Sequence, residues 1–155
     1  MNSMNIKTYA QTVEAILADR NSYLVPQFQR NFSWGEEQQE DFWNDIKEIY
    51  RDDTIDTHFI GSMVFSPQTQ DNVFKILDGQ QRFATILIFL SSLRDTINSL
   101  NIPNKIDWIK SIQENLATGA LSTITKVPKL NLNKQDVDFF HRVIFGTTQP
   151  IASSK

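Results

Sequence analysis

The passage that most narrows the fold runs from Val73-Phe74-Lys75-Ile76-Leu77 through Asp78-Gly79 into a long apolar repeat. The first five residues predict a strand. Phe83, Ile86, Leu87, Leu90, Leu93, Ile97 and Leu100 then recur at helical spacing and predict a helix from about Gln81 to Leu100, stopped before Pro103. A strand that turns directly into a long helix makes this an α+β chain, and the corner between them becomes its sharpest local feature.

The flanking segments fill in the architecture. Val13, Ile16 and Leu17 predict a first helix from Tyr9 to Asp19, capped by Thr8 with Gln11 completing a capping box. Ser22 to Val25 predicts a short strand ended by Pro26, which cannot donate to a ladder. Ser33-Trp34-Gly35-Glu36 is a second capping-box pattern. It opens a helix to about Arg51, with Phe42, Trp43, Ile46, Ile49 and Tyr50 on one side and most of its acids on the other. His58 to Phe65 predicts a strand in which Gly61 marks a bulge or a close backbone approach, and Pro67 to Asn72 a hairpin turn. Residues 105–117 predict a short helix, and Val127 to Leu132 an extended segment. Asn133 caps a last helix carrying Val137, Phe140, Val143 and Ile144, which Gly146 ends. No internal linker or repeat is visible. The expectation is one domain over residues 1–146, a small mixed sheet with flanking helices, followed by a flexible polar tail over 147–155.

Composition removes several classes of function. Among 155 residues there is no cysteine, which excludes disulfides, zinc–thiolate sites, iron–sulfur clusters and a cysteine nucleophile. The longest apolar run, Ile86 to Leu90, falls far short of the roughly 20 residues that span a bilayer. No basic-then-apolar leader opens the chain, so a cytoplasmic protein with no membrane partner is expected. Net charge is −3, unlike a generic polyanion binder. Residues 35–56 hold nine acids against Lys47 and Arg51, which concentrates −7 there and leaves +4 elsewhere. A nucleic-acid face would lie away from that segment.

The corner Asp78-Gly79-Gln80-Gln81-Arg82 has the composition of an anion site. Glycine permits a tight turn, the first N–H groups of the helix point into it, and Arg82 in the first turn can grip a phosphate. Gln80 and Gln81 add neutral donors and acceptors suited to a base edge, a sugar or a water. Asp78 would repel a phosphate unless Mg²⁺ bridges them or the acid orients Arg82. It also fits a purely structural reading, as helix cap with Gln81 at the third position.

A second cluster, Pro26-Gln27-Phe28-Gln29-Arg30-Asn31-Phe32-Ser33-Trp34, lies between a strand and a helix, where binding loops are commonly mounted. Trp34 or Phe32 suits stacking on a base, and Arg30 suits a phosphate. The structural alternative makes Phe28 and Trp34 core anchors and Arg30 a buried pair. Other templates fail: there is no Walker loop, no dinucleotide fingerprint, no metalloprotease helix and no nucleophile elbow. His58 and His141 stand alone and are expected to be structural.

Taken in order, P-x-F-Q-R-x-F-x-W, an acidic helix, F-I-G-S-M-V, the D-G-Q-Q-R corner and an apolar helix resemble the N-terminal domain of GmrSD-type restriction endonucleases. The segment Pro128 to Phe140 is similar to a later block of that family, so the resemblance covers roughly residues 8–145. The family is one of modification-dependent phage-defence enzymes, and its corner is similar to that of ParB/sulfiredoxin-like folds. The resemblance implies a ParB/sulfiredoxin-like core with C-terminal helices, and an NTP-binding, NTP-hydrolysing domain coupled to DNA restriction. Asp78 and Arg82 would be catalytic. Asp78, Gly79, Gln80, Gln81 and Arg82 would form the nucleotide corner, faced by Gln29 and Arg30, with Gly61 on a neighbouring strand. Asp78 would hold Mg²⁺ or orient water. Three positions depart from the family pattern: Phe32 stands where Tyr is usual, and Phe83-Ala84-Thr85, where Leu-Thr-Thr is usual, retains only the second hydroxyl. Cleavage of modified DNA is expected from a downstream or partner nuclease domain. The rival reading is a ParB-like DNA-binding or nicking module that works through Arg30, Phe32 and Trp34 without nucleotide.

Overall fold

The fold comes from a computed structural model that describes residues 9–118, 127–133 and 136–146. The mixed α+β class holds, with five helices and a small mixed sheet among the described residues.

The chain opens with α1 (Val13–Ala18), shorter than its apolar spacing predicts. Thr12, in extended conformation, ends it on the N-terminal side, and its hydroxyl accepts from the Ala15 N–H at 3.1 Å. The expected cap, Thr8, lies outside the described residues. Asp19 closes the helix by accepting from the Asn21 N–H at 2.9 Å, which turns the chain into β1 (Ser22–Leu24). After the loop over 25–35 comes α2 (Glu36–Arg51). Its cap is Gly35 rather than Ser33: the side-chain Oε1 of Gln38 accepts from the Gly35 N–H at 3.0 Å, while the Ser33 N–H is used elsewhere. No residue of α2 is fully buried. Phe42 and Trp43 rest against Phe89, at 6.0 and 5.9 Å between ring centroids. Yet Trp43 stays 48% exposed and Tyr50 87%, so the apolar side predicted for this helix is only half used.

The expected strand from His58 to Phe65 survives only at its end, as β2 (Val64–Pro67). Gly61 has φ +102°, which takes the backbone out of the strand region, and the register shifts between Val64 and Phe65. A hairpin through Asn72 (φ 60°) leads to β3 (Val73–Asp78), antiparallel to β2. The helix α3 (Gln80–Ser99) follows at once, then α4 (Lys105–Leu116). The segment 127–132 serves two sheets. β5 (Val127–Pro128) pairs with β4 (Ala117–Thr118), and β6 (Leu130–Asn131) joins the main sheet. Last comes α5 (Val137–Phe145), whose N-cap position is Asp136 rather than Asn133, and which Gly146 ends at φ +78°. The tail over 147–155 lies outside the described residues.

The main sheet has the order β2-β3-β1-β6, with β1 central and parallel to both β3 and β6. Tyr23, Ile76, Phe65 and Leu130 meet Phe83 and Leu87 of α3, and Phe140 and Ile144 seal the core. Tyr23 stands edge-on to Phe83 at 5.2 Å. Burying aliphatic and aromatic side chains on this scale contributes about 1.5–3 kcal/mol each relative to exposure. The result fixes the start of α3 rigidly against the end of β3.

Between β5 and β6 the Lys129 side chain is fully buried. Its ammonium donates to the Asp19 carboxylate and to the Asp19 carbonyl, and the Tyr23 hydroxyl donates to the same carboxylate at 2.7 Å. Burial pulls the Lys129 ammonium below its ordinary range, opposed by Asp19. Burial, assisted by the Asp19 carboxylate, holds the Tyr23 phenol above its own.

Candidate functional site

The corner is built by Gly79. It adopts φ +84°, ψ 10°, a left-handed conformation that glycine takes without strain, and it occupies the N-cap position of α3. The corner is also tight. A Cβ on Gly79 would stand 2.8 Å from Met63 Cγ and 3.1 Å from the Ser62 carbonyl oxygen. Glycine has no side chain to cap the helix, so no side-chain oxygen takes up the first N–H groups of α3. Asp78 is therefore not the cap. It ends β3, exposed, and no ion pair joins it to Arg82 among the described residues. Arg82 is oriented by the opposite segment: its Nη1 donates to the Ser62 carbonyl at 2.9 Å. Its guanidinium lies across Gly61, where the close approach anticipated at that glycine is found; Gly61 stands outside any strand and behind Arg82.

The loop after β1 closes the other side. Gln29 donates from Nε2 to the Leu77 carbonyl at 2.8 Å, which ties the loop to the end of β3. Gln80 donates to the Arg30 carbonyl at 2.8 Å. Gln81 donates to the Asn31 carbonyl at 2.9 Å and accepts from the Ser33 N–H at 2.7 Å. Gln80 and Gln81 are 8% and 6% exposed. Gln81 thus has both ends of its carboxamide occupied by the loop, whereas Gln80 spends only its amide nitrogen there, and its buried Oε1 has no hydrogen-bond partner among the described residues.

Two residues of the C-terminal segment complete this clamp, and no local sequence pattern marks them for that role. The Asp136 carboxylate accepts from the Phe32 N–H at 2.8 Å. Asn133 donates from Nδ2 to Asn31 Oδ1 at 2.5 Å. Both are residue types that cap helices, so a local role accounted for them; a bond to a loop about a hundred positions away leaves no local pattern.

These clamps hold open a cleft of about 380 Å³ lined by Gln29, Arg30, Trp34, Ser62, Leu77 and the whole Asp78-to-Arg82 corner. Arg30 is exposed and makes no ion pair among the described residues, so it is not the buried structural pair of the alternative reading. Phe32 packs against the core, and Phe28, at 84% exposure, is no core anchor. Among the described residues, Asp78 is the one carboxylate that lines the cleft. Among the described residues no group of three or more His, Asp or Glu side chains could hold a metal by itself.

A family model described as GmrSD restriction endonuclease, N-terminal domain, matches residues 13–153. The chain belongs to that family. No curated protein matches the sequence. In this GmrSD N-terminal domain the matched region contains every residue that lines the cleft. It also contains both histidines, which the structure places away from the cleft. His58 lies 3.4 Å from Asp45, and His141 stands edge-on to Phe145. Burial lowers the proton affinity of His141, against a smaller opposing effect of Asp138. No helix among the described residues is long and apolar enough to cross a membrane.

Proposed function

We propose that this cleft binds a nucleoside triphosphate with Mg²⁺ and hydrolyses it, and that the turnover is coupled to restriction of modified DNA by a downstream or partner nuclease domain. The observation that carries the reading is the convergence of Arg30 and Arg82, from separate elements, on one open cleft at the uncapped start of a 20-residue helix. A helix N-terminus and two guanidiniums together favour a multiply charged anion. Arg82 commits one donor to Ser62, of the five a guanidinium carries.

The donor set suits Mg²⁺ delivered with the triphosphate, because that ion keeps several waters and takes one or two carboxylates besides phosphate oxygens. Asp78 would be its protein ligand, and the ion would supply charge neutralisation. Phosphoryl transfer asks mainly for positioning and electrostatic stabilisation. Arg30 and Arg82 grip the phosphates and the α3 N–H groups orient them, while Asp78 either holds the ion or orients the attacking water by accepting its hydrogen bond. The DNA-module reading is less well supported. A duplex lying on the Arg30–Trp34 loop would also meet Glu36, Glu37, Glu40 and Asp41, all exposed at the start of α2.

The test is titration calorimetry with ATP, GTP, CTP and UTP plus Mg²⁺, alongside phosphate release, on the parent and on Arg30→Ala. A lost charged hydrogen bond of about 1.5–3 kcal/mol predicts roughly a 10- to 150-fold weaker affinity. The melting temperature should not change, because the Arg30 side chain is exposed and makes no ion pair among the described residues. Equal affinity in the variant, or no thermal shift of the parent with any of the four, overturns the assignment.

A further inference from the structure

Trp34 is an aromatic side chain on the cleft wall that anion binding does not use. Its backbone is fixed on both sides. The preceding Ser33 N–H donates to Gln81, and the Trp34 carbonyl accepts from Gln39 Nε2 at 3.0 Å. Its indole is half-buried, stands outside the core cluster that takes up Phe32, and makes no ring contact among the described residues. Leu77, 46% exposed, lines the same cleft. A rigidly mounted indole and an exposed leucine beside two arginines form an amphipathic wall. Phosphate alone would gain nothing from the apolar part.

We infer that Trp34 is the base-recognition element of the cleft: the nucleobase of the bound triphosphate stacks on its indole, with Leu77 as further apolar surface, while Arg30, Arg82 and the α3 N-terminus hold the phosphates. This rests on the nucleotide reading above and adds which end of the ligand each wall takes. Stacking on an indole tolerates every base, since each has a π-face, so Trp34 distinguishes a nucleotide from a bare polyphosphate rather than one base from another.

The experiment compares Mg²⁺ complexes of ATP and GTP with inorganic tripolyphosphate. Calorimetry is run on the parent, Trp34→Ala and Trp34→Phe. Fluorescence is followed in a Trp43→Phe/Trp108→Phe background, where Trp34 is the sole indole. Stacking predicts that Trp34→Ala weakens nucleotide affinity by about 5- to 150-fold, the span measured for base–aromatic stacking. Tripolyphosphate affinity should stay within twofold, Trp34→Phe should keep most of the nucleotide affinity, and nucleotides but not tripolyphosphate should quench Trp34. Equal nucleotide affinity in Trp34→Ala, or equal quenching by tripolyphosphate, overturns the stacking role while leaving the anion site standing. A parent that binds neither ligand removes the nucleotide reading and the stacking role together. The fluorescence comparison needs no substitution at Trp34, so it decides the matter even if Trp34→Ala does not fold.

Discussion

The guanidinium of Arg82 lies across Gly61 so closely that a Cβ on residue 61 would stand 2.5 Å from Arg82 Cζ. The glycine thus gives the arginine its seat, and Ser62 next to it supplies the carbonyl that anchors Nη1. Gly61→Ala should cost about 1–3 kcal/mol through its positive φ. It should also push the flexible end of Arg82 aside, lowering nucleotide affinity as far as Arg82→Ala does. Gly79→Ala should cost more stability, because its Cβ would meet the backbone of Ser62 and Met63, which cannot swing away. Urea unfolding and calorimetry on the two variants check this ordering. Parent-like affinity in a folded Gly61→Ala would show that the seat of Arg82 does not matter for the ligand.

Gln81 lines the cleft, but its carboxamide is bonded to the loop on the opposite wall. Gln81→Ala leaves the Asn31 carbonyl and the Ser33 N–H without their partner, at a cost of about 1–3 kcal/mol where such groups stay shielded from water. Binding should weaken because the loop carrying Arg30 loosens. In a double-mutant cycle the effects of Gln81→Ala and Arg30→Ala on affinity should therefore be less than additive. Full additivity would mean that the clamp does not act through Arg30.

Asp78→Asn separates the two contributions of a carboxylate beside phosphate. With Mg²⁺ present, affinity and turnover should fall. In chelator, where only repulsion remains, the variant should bind nucleotide at least as tightly as the parent, by the sign of the charge interaction alone. A variant weakened equally in both conditions would mean that Asp78 holds the corner rather than the ion.

The Lys129–Asp19 pair should respond asymmetrically. Asp19→Ala strands a fully buried ammonium and should cost about 3–5 kcal/mol. Lys129→Met should cost clearly less, since Asp19 keeps its bonds from Asn21 and Tyr23. Chemical denaturation of both variants tests the order, and a reversed order would show that the lysine is the dispensable partner only on paper.

His141 should make stability depend on pH. Burial sets its folded proton affinity below the ordinary value of about 6.5, so in mild acid the unfolded chain binds the proton first. Stability is complete above that value and is lost as pH falls from there through the lower folded value. His141→Phe should flatten the part of the profile that begins as pH falls below about 6.5. An unchanged slope would assign the dependence to other groups.

Much of this molecule follows from local rules. The strand entering a long helix, the hairpin at Asn72 and the close of α5 at Gly146 all depend on periodicity, turn residues and glycine. Short-range preference works there because each choice is satisfied by neighbours within one or two turns. It misjudged Ser33 and Asn133, residue types that favour cap positions but do not occupy them here. Ser33's N–H bonds to Gln81, and Asn133's side chain bonds to the Asn31 loop. It also overestimated the burial of Trp43 and Tyr50, because periodicity gives a helix face but not the area available to cover it.

Amino-acid order alone determined the α+β class, the Asp78–Arg82 corner and the candidate residues of the loop. Only the folded chain decided which of them face the cleft. It turned Gln80 and Gln81 inward as clamps, left Arg30 and Trp34 in the cleft, seated Arg82 on Gly61 and added Asn133 and Asp136 as supports. The physical reason is that a hydrogen bond between residues far apart in sequence depends on packing of the whole sheet. Nothing in the spacing along one segment records where its partner will stand.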